Sequence, residues 1–223
     1  MFERLIPLIG EENLDKIKSK KIVVLGVGGV GSYALEALIR SGVENIIIVD
    51  ADNVDISNLN RQLMTNMENI GKSKVDVWED RIKKINPQVK ITKINEFITP
   101  ENLHLIFDLN PDYVVDCIDT VKTKKYLIKE CLKRKIKFIV STGMGNKKDA
   151  TRVKITDLSK TSYDKIAKEL RIFVKQERIN GKIPVVFSDE KPITTSGKIA
   201  SIAFVPAVAG LLCANYIIND IIR

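Results

Sequence analysis

The chain holds one histidine and three cysteines in 223 residues. A single histidine, His104, cannot build a His-based triad or a histidine metal cluster, and it reads as a surface helix residue. Cys117, Cys131 and Cys213 are far apart and form no C-x-x-C pair, so a structural zinc site is not expected. Their odd number, with no signal-peptide pattern, predicts a reducing, cytoplasmic setting. Cys117 and Cys213 lie in apolar runs and are expected in the core. Internal repeats and low-complexity tracts are missing too. One long uncharged run exists, residues 199–218, and by length it could span a membrane. Pro206, Gly210 and Asn215 interrupt it and Asp220 follows closely. The run therefore predicts a buried helix at a domain or dimer interface, and no membrane partner.

What is present is enough for one domain over residues 1–223: 44% of the residues are hydrophobic, sufficient for a full core. The net charge is +8, and it is uneven. Residues 147–182 carry eleven Lys or Arg against five Asp or Glu, a local +6. Such a block attracts nucleic acid or another polyanion, or it is a solvated lysine-rich helix; charge alone does not choose.

Short β-branched runs alternate with helical apolar spacing. Strands are predicted at 22–25, 46–49, 89–94, 113–116 and 138–140, with helices at 30–39, 72–85, 100–109 and 122–135. This predicts an α/β fold, a doubly wound, mainly parallel Rossmann-like sheet. After Gly145 the pattern changes to a C-terminal antiparallel extension. Strands are expected at 152–156, 185–187 and 199–204, an amphipathic helix at 162–175, and a mobile loop at 189–198. Ligands of such sheets sit beyond the carboxyl ends of the strands, so Gly26, Asp50, Asp116, Asp119 and Ser141 are expected to converge on one crevice.

The first strand runs into Gly26-Val27-Gly28-Gly29-Val30-Gly31. Glycines there permit a tight turn, close approach of backbone to phosphate and close packing of the next helix, whose free amides face the anion. Asp50, at the end of the second strand, has the spacing of a ribose-binding acid. A dehydrogenase needs little more, yet here the chain continues A-D-N-V-D-I-S-N-L-N-R-Q. Asn58 and Arg61 can contact phosphate, Arg61 with two parallel hydrogen bonds, while Gln62 braces the loop. Asp52 either supports a metal or holds the loop. Lys74, near the start of a helix, can reach back to phosphate as a point charge. Asp119, just past the fourth strand, can hold Mg2+ between phosphates or cap the next helix, as can Thr120.

These motifs, with Gly71-Lys72-Ser73-Lys74 and Asp116-Cys117-Ile118-Asp119, resemble in order and spacing the superfamily of adenylating enzymes. That superfamily includes sulfur-carrier adenylyltransferases and ubiquitin-activating enzymes. The resemblance covers about residues 20–145 and implies ATP and Mg2+ bound by the positions Gly29, Asp50, Ser57 to Arg61, Lys74 and Asp119. Sulfur-carrier activators often hold zinc on two C-x-x-C pairs, which are missing, and there is no room for the catalytic cysteine domain of ubiquitin activators.

The second half, through Ser141 to Lys147, Thr156 to Thr161, Ala167 to Arg171 and Val185 to Ser188, resembles the tRNA threonylcarbamoyladenosine dehydratases. So do Arg4 and Leu8-Ile9-Gly10-Glu11 at the N-terminus. That implies a homodimer and a modified tRNA substrate, with a sulfur-relay protein as a further partner. It also implies that Arg4 completes the ATP site of the other subunit. Lys165, Lys168, Arg171 and Lys175 recur at helical spacing and are expected to form one cationic tRNA-binding face. The alternatives are an activator of a ubiquitin-like sulfur carrier, an NAD-dependent oxidoreductase, or an inactive binding module.

Overall fold

The β-branched runs lie where a strand buried on both faces is needed. The structure, a computed structural model, describes residues 1–193, 197 and 199–223. Its strands are β1 (Lys21–Leu25), β2 (Asn45–Val49), β3 (Lys90–Ile94), β4 (Tyr113–Asp116), β5 (Lys137–Ser141), β6 (Val153–Asp157) and β7 (Pro184–Ser188). They form one sheet in the order β3-β2-β1-β4-β5-β7-β6. All pairs are parallel except β6 with β7, the expected antiparallel extension. The edge strand β3 carries Lys90, Thr92 and Lys93, and lysines of this kind discourage pairing with another chain.

The helices are α1 (Ile6–Ile9), α2 (Glu11–Ser19), α3 (Gly31–Arg40), α4 (Lys74–Ile85), α5 (His104–Phe107), α6 (Val121–Arg134), α7 (Lys165–Gln176) and α8 (Phe204–Ile221). Alternate strand residues feed two cores. Ile22, Val24, Ile46, Ile48 and Val115 pack with Leu35, Leu38, Trp78 and the buried side of α8. Val23, Leu25, Ile47, Val49 and Val114 pack with Phe107, Leu127, Ile128 and Leu170. The helices thus cover both faces of the sheet, as a doubly wound parallel sheet requires.

From Phe204 on, the uncharged run becomes α8, the one described helix long and apolar enough to cross a membrane. Val205, Pro206, Ala209, Gly210, Cys213 and Ala214 are buried. A Cβ on Gly210 would lie 2.2 Å from the Val30 carbonyl oxygen, so the backbones of α8 and α3 meet here.

Several boundaries differ from expectation, each for a local reason. The strand expected at 199–204 does not form. Both edges of β7 are occupied, by β5 and β6, and residues 199–203 instead run irregularly into α8. The helix expected at 100–109 breaks into a 3-10 turn, capped by Thr99 and Asn102, and the short α5. Helix α4 starts at Lys74, because Ser73 is drawn into an extended bridge with Asn53. Helix α7 starts at Lys165, because Tyr163 has a left-handed φ of 53° and Asp164 caps the first turn. The expected loop at 189–198 lies partly outside the described residues; Pro192 and Gly197 are described and irregular, Ser196 is outside.

Candidate active site

Loops from β1, β2 and β4 meet at the carboxyl edge of the sheet. The chain leaves β1 at Gly26, whose φ of 75° favours glycine and whose Cβ would press within 3.1 Å of the Cys117 carbonyl. A Cβ at Gly31 would fall 1.8 Å from the Gly26 carbonyl oxygen, so only glycine lets α3 start against the turn. No side chain caps that start; Ser32 and Tyr33 donate their amides to the carbonyls of Gly28 and Val30, which leaves the glycine-loop amides before them to face an anion. Gly26, Gly28 and Gly29 form one wall of a crevice of about 300 Å³.

Asp50 organises the next wall. Its carboxylate accepts the amides of Val27 at 2.8 Å and Asp52 at 2.9 Å. Burial pushes this carboxyl above the usual aspartate value, and the Lys74 ammonium, 3.8 Å away, opposes the shift. Lys74 is buried along its stem and donates to Asp52 Oδ2 at 2.6 Å. Asp52 itself is exposed, so the pair opens to the crevice. The carboxylate of Asp52 thus holds the Lys74 ammonium at the crevice.

Arg61 lies over Gly29, its Cγ 3.5 Å from where a Cβ would stand. Its guanidinium donates to the Ser57 carbonyl at 2.6 Å and to Asn60 Oδ1 at 3.1 Å. No carboxylate pairs with it among the described residues, which leaves donors for an anion. Asn58 lines the crevice, but its side-chain oxygen accepts the Asp55 amide and so closes its own turn. Ser57 is exposed and lies outside the crevice wall; its carbonyl positions Arg61. Gln62 is buried beside Gly28, and its Oε1 has no hydrogen-bond partner among the described residues. Asp119 is exposed in the crevice, and neither it nor Thr120 caps α6 through its side chain.

Three placements depart from the sequence reading. Asp116 and Ser141 do not face the crevice. Asp116 is fully buried and pairs with the equally buried Lys124, whose Nζ lies 2.8 Å from Asp116 Oδ1 and 2.9 Å from the Ser141 carbonyl. Burial raises the Asp116 carboxyl and Lys124 opposes it. Strand alternation turns Asp116 away from the ligand side, while the lysine ties the ends of β4 and β5 together. Arg171 leaves the expected cationic face and donates to the carbonyl and hydroxyl of Thr161, pinning the loop before α7. Lys165, Lys168 and Lys175 are exposed on α7 and pair with no described carboxylate. Elsewhere in 147–182 the charge is partly neutralised, Lys147 by Asp164 and Arg152 by Asp189. Arg4 is exposed in the turn before α1 and does not line this crevice.

The sequence reading missed Glu96, Phe97 and Ile98, which follow β3 and line the crevice. Phe97 is 60% exposed, and an aromatic residue directly past a strand end was the available signal. It also missed Lys124, which looked like any helix lysine. The cysteines offer no nucleophile. Cys117 shares a hydrogen bond with Cys213 that raises its thiol, and burial raises Cys131. Among the described residues no cluster of three metal-ligating side chains occurs. A magnesium ion held by Asp119 and by phosphate oxygens needs no such cluster.

The ThiF family model matches residues 2–222. The chain belongs to the ThiF family. A tRNA threonylcarbamoyladenosine dehydratase of Bacillus subtilis is 43% identical, over 96% of this chain and 92% of that protein. The crystal structure of the Escherichia coli tRNA N6-threonylcarbamoyladenosine dehydratase in complex with ATP has a TM-score of 0.93 and 33% identity, covering 99% of this chain and 93% of that one. The same enzyme in complex with AMP has a TM-score of 0.91 and 34% identity, covering 97% and 91%. The likeness therefore runs through the second half of the chain as well as through the glycine loop.

Proposed function

We propose that this chain is an ATP-dependent tRNA threonylcarbamoyladenosine dehydratase. The observation that carries the reading is its likeness, over nearly the whole chain, to a dehydratase bound to ATP. The carboxylate of the threonylcarbamoyl group attacks the α-phosphate of ATP, forms an acyl-adenylate and releases pyrophosphate. An oxygen of the same group then attacks the activated carbonyl, AMP leaves, and a ring closes with net loss of one water. A free carboxylate is a poor electrophile, whereas the adenylate carries a good leaving group.

In this reading Gly26, Gly28, Gly29 and Gly31, at the positive end of α3, hold the phosphates, and Asp50 holds the ribose. Asn58 and Ser57 keep the turn that aims Arg61. Arg61 and Lys74 stabilise charge developing on phosphorus during displacement. Magnesium, held by Asp119, adds charge neutralisation when bound. Arg4 completes the site of the other subunit in a homodimer. Residues 1–223 form one adenylating domain that works in the cytoplasm, and the basic segment 147–182 faces tRNA. A sulfur-relay protein is a further partner.

Pyrophosphate release tests the reading. Release that requires tRNA bearing threonylcarbamoyladenosine supports it. Release only with the C-terminus of a ubiquitin-like sulfur carrier moves the assignment to a carrier adenylyltransferase.

A further inference from the structure

A second cavity, of about 670 Å³, opens beside the ends of β5 and β7 and is more than twice the size of the ATP crevice. The loop after β5 forms its floor. There Lys147, which is buried, donates to the carbonyls of Gly143 at 2.9 Å and Ser188 at 3.1 Å, with Asp164 Oδ2 at 3.6 Å. Its rim carries Tyr163, Lys165 and Lys191. All three are exposed, and neither lysine pairs with a described carboxylate.

Tyr163 is 62% exposed, and its φ of 53° is unfavourable for a bulky side chain. Both flanks hold it there. Thr161 donates to the Leu158 carbonyl and is gripped by Arg171. Asp164 accepts the Ala167 amide at 2.7 Å. The ring is thus presented on a rigid knuckle at the mouth of a cavity, where apolar packing does not require it.

One stretch of chain, residues 200–206, links this cavity to the ATP crevice. The Asn146 amide donates to the Ala200 carbonyl at 2.7 Å, on the cavity side. One residue later, the Ser201 carbonyl accepts from Asn60, the neighbour of Arg61. Pro206 then lies 3.4 Å from where a Gly29 Cβ would be. Residues 200–206 span at most ~20 Å even if fully extended, so the two spaces are neighbours. Gly29 and Asn60, the neighbour of Arg61, are the crevice-side contacts of this stretch.

We propose that Tyr163 stacks on the threonylcarbamoyl-bearing purine ring of the RNA substrate, seating that base in this second cavity with its carboxylate toward Gly29. The inference rests on the dehydratase reading. An unstacked base offers a π face to an exposed aromatic ring, and lysines at the rim meet the flanking phosphates. The test uses the full-length Tyr163→Ala protein, with Tyr163→Phe as the stacking control. Tyr163→Asn removes the ring in a residue that tolerates the left-handed backbone, should alanine fail to fold. Removal of the ring is expected to raise the KM for modified tRNA roughly 5- to 100-fold. ATP affinity should not change, and Tyr163→Phe should retain the wild-type KM. A wild-type enzyme that dehydrates the modified tRNA, with unchanged KM in both Tyr163→Ala and Tyr163→Asn, overturns the stacking proposal alone. A wild-type enzyme inactive on modified tRNA overturns the dehydratase reading and this inference with it.

Discussion

The ammonium of Lys74 lies 2.6 Å from Asp52 Oδ2, in a crevice whose lining includes the loop glycines, Arg61 and Asp119. An acid on the open side of a buried lysine keeps it aimed before any nucleotide arrives. Lys74→Ala or Arg61→Ala should therefore lower the rate of pyrophosphate release by ~100-fold or more, the scale of losing a transition-state charge contact. Asp119→Asn should raise the magnesium concentration needed for half-maximal rate. Steady-state titrations of each variant read both effects, and wild-type rates in the Lys74 and Arg61 variants would remove these residues from the site.

Lys124 and Asp116 form an ion pair with both side chains fully buried. Removing either partner strands a charge in the core. Asp116→Asn or Lys124→Met should each destabilise the chain by about 3–5 kcal/mol in denaturant unfolding. The double variant should lose less than the sum of the two. Additive losses would mean that the pair is not coupled.

An Arg4→Ala chain mixed with a Lys74→Ala chain should regain activity if Arg4 serves the partner's site, since each heterodimer then keeps one intact site. Arg4 is exposed in its own chain, so it is available for that role. Absence of rescue, or a monomer at working concentration by light scattering, would contradict it.

Salt dependence separates the α7 cations from one another. Lys168→Glu and Lys175→Glu should weaken tRNA binding and make the log–log salt slope shallower by about 0.7 to 0.9 per lost phosphate contact, with ATP binding intact. Arg171→Ala should instead lower thermal stability, by about 1–3 kcal/mol, because its guanidinium holds the Thr161 carbonyl. A variant of Lys168 with an unchanged slope would show that tRNA docks elsewhere.

Much of this arrangement was legible in the residues. Alternating β-branched runs and helical spacing foretold the parallel sheet, because strands buried on both faces tolerate little else. The glycine loop and Asp50 were legible because each motif is local: a turn, a helix start and a strand end within a short stretch. What escaped depends on side-chain direction over long separations. Asp116 and Asp119 are three residues apart, yet strand alternation turns the first to the core, where Lys124 pairs with it, while the second lies past the strand in the crevice. Arg171 fits a cationic stripe by spacing, but Thr161 captures it. Residues 199–204 have strand-like composition, but no free edge of β7 remains to receive them.

The most direct measurement of the central claim is the mass of the product. tRNA bearing threonylcarbamoyladenosine is incubated with the enzyme, ATP and magnesium, then digested to nucleosides and weighed. The account predicts that threonylcarbamoyladenosine loses one water, only with ATP present, and that Lys74→Ala slows the loss. An unchanged nucleoside mass, with a sulfur-carrier C-terminus adenylated under the same conditions, would contradict it.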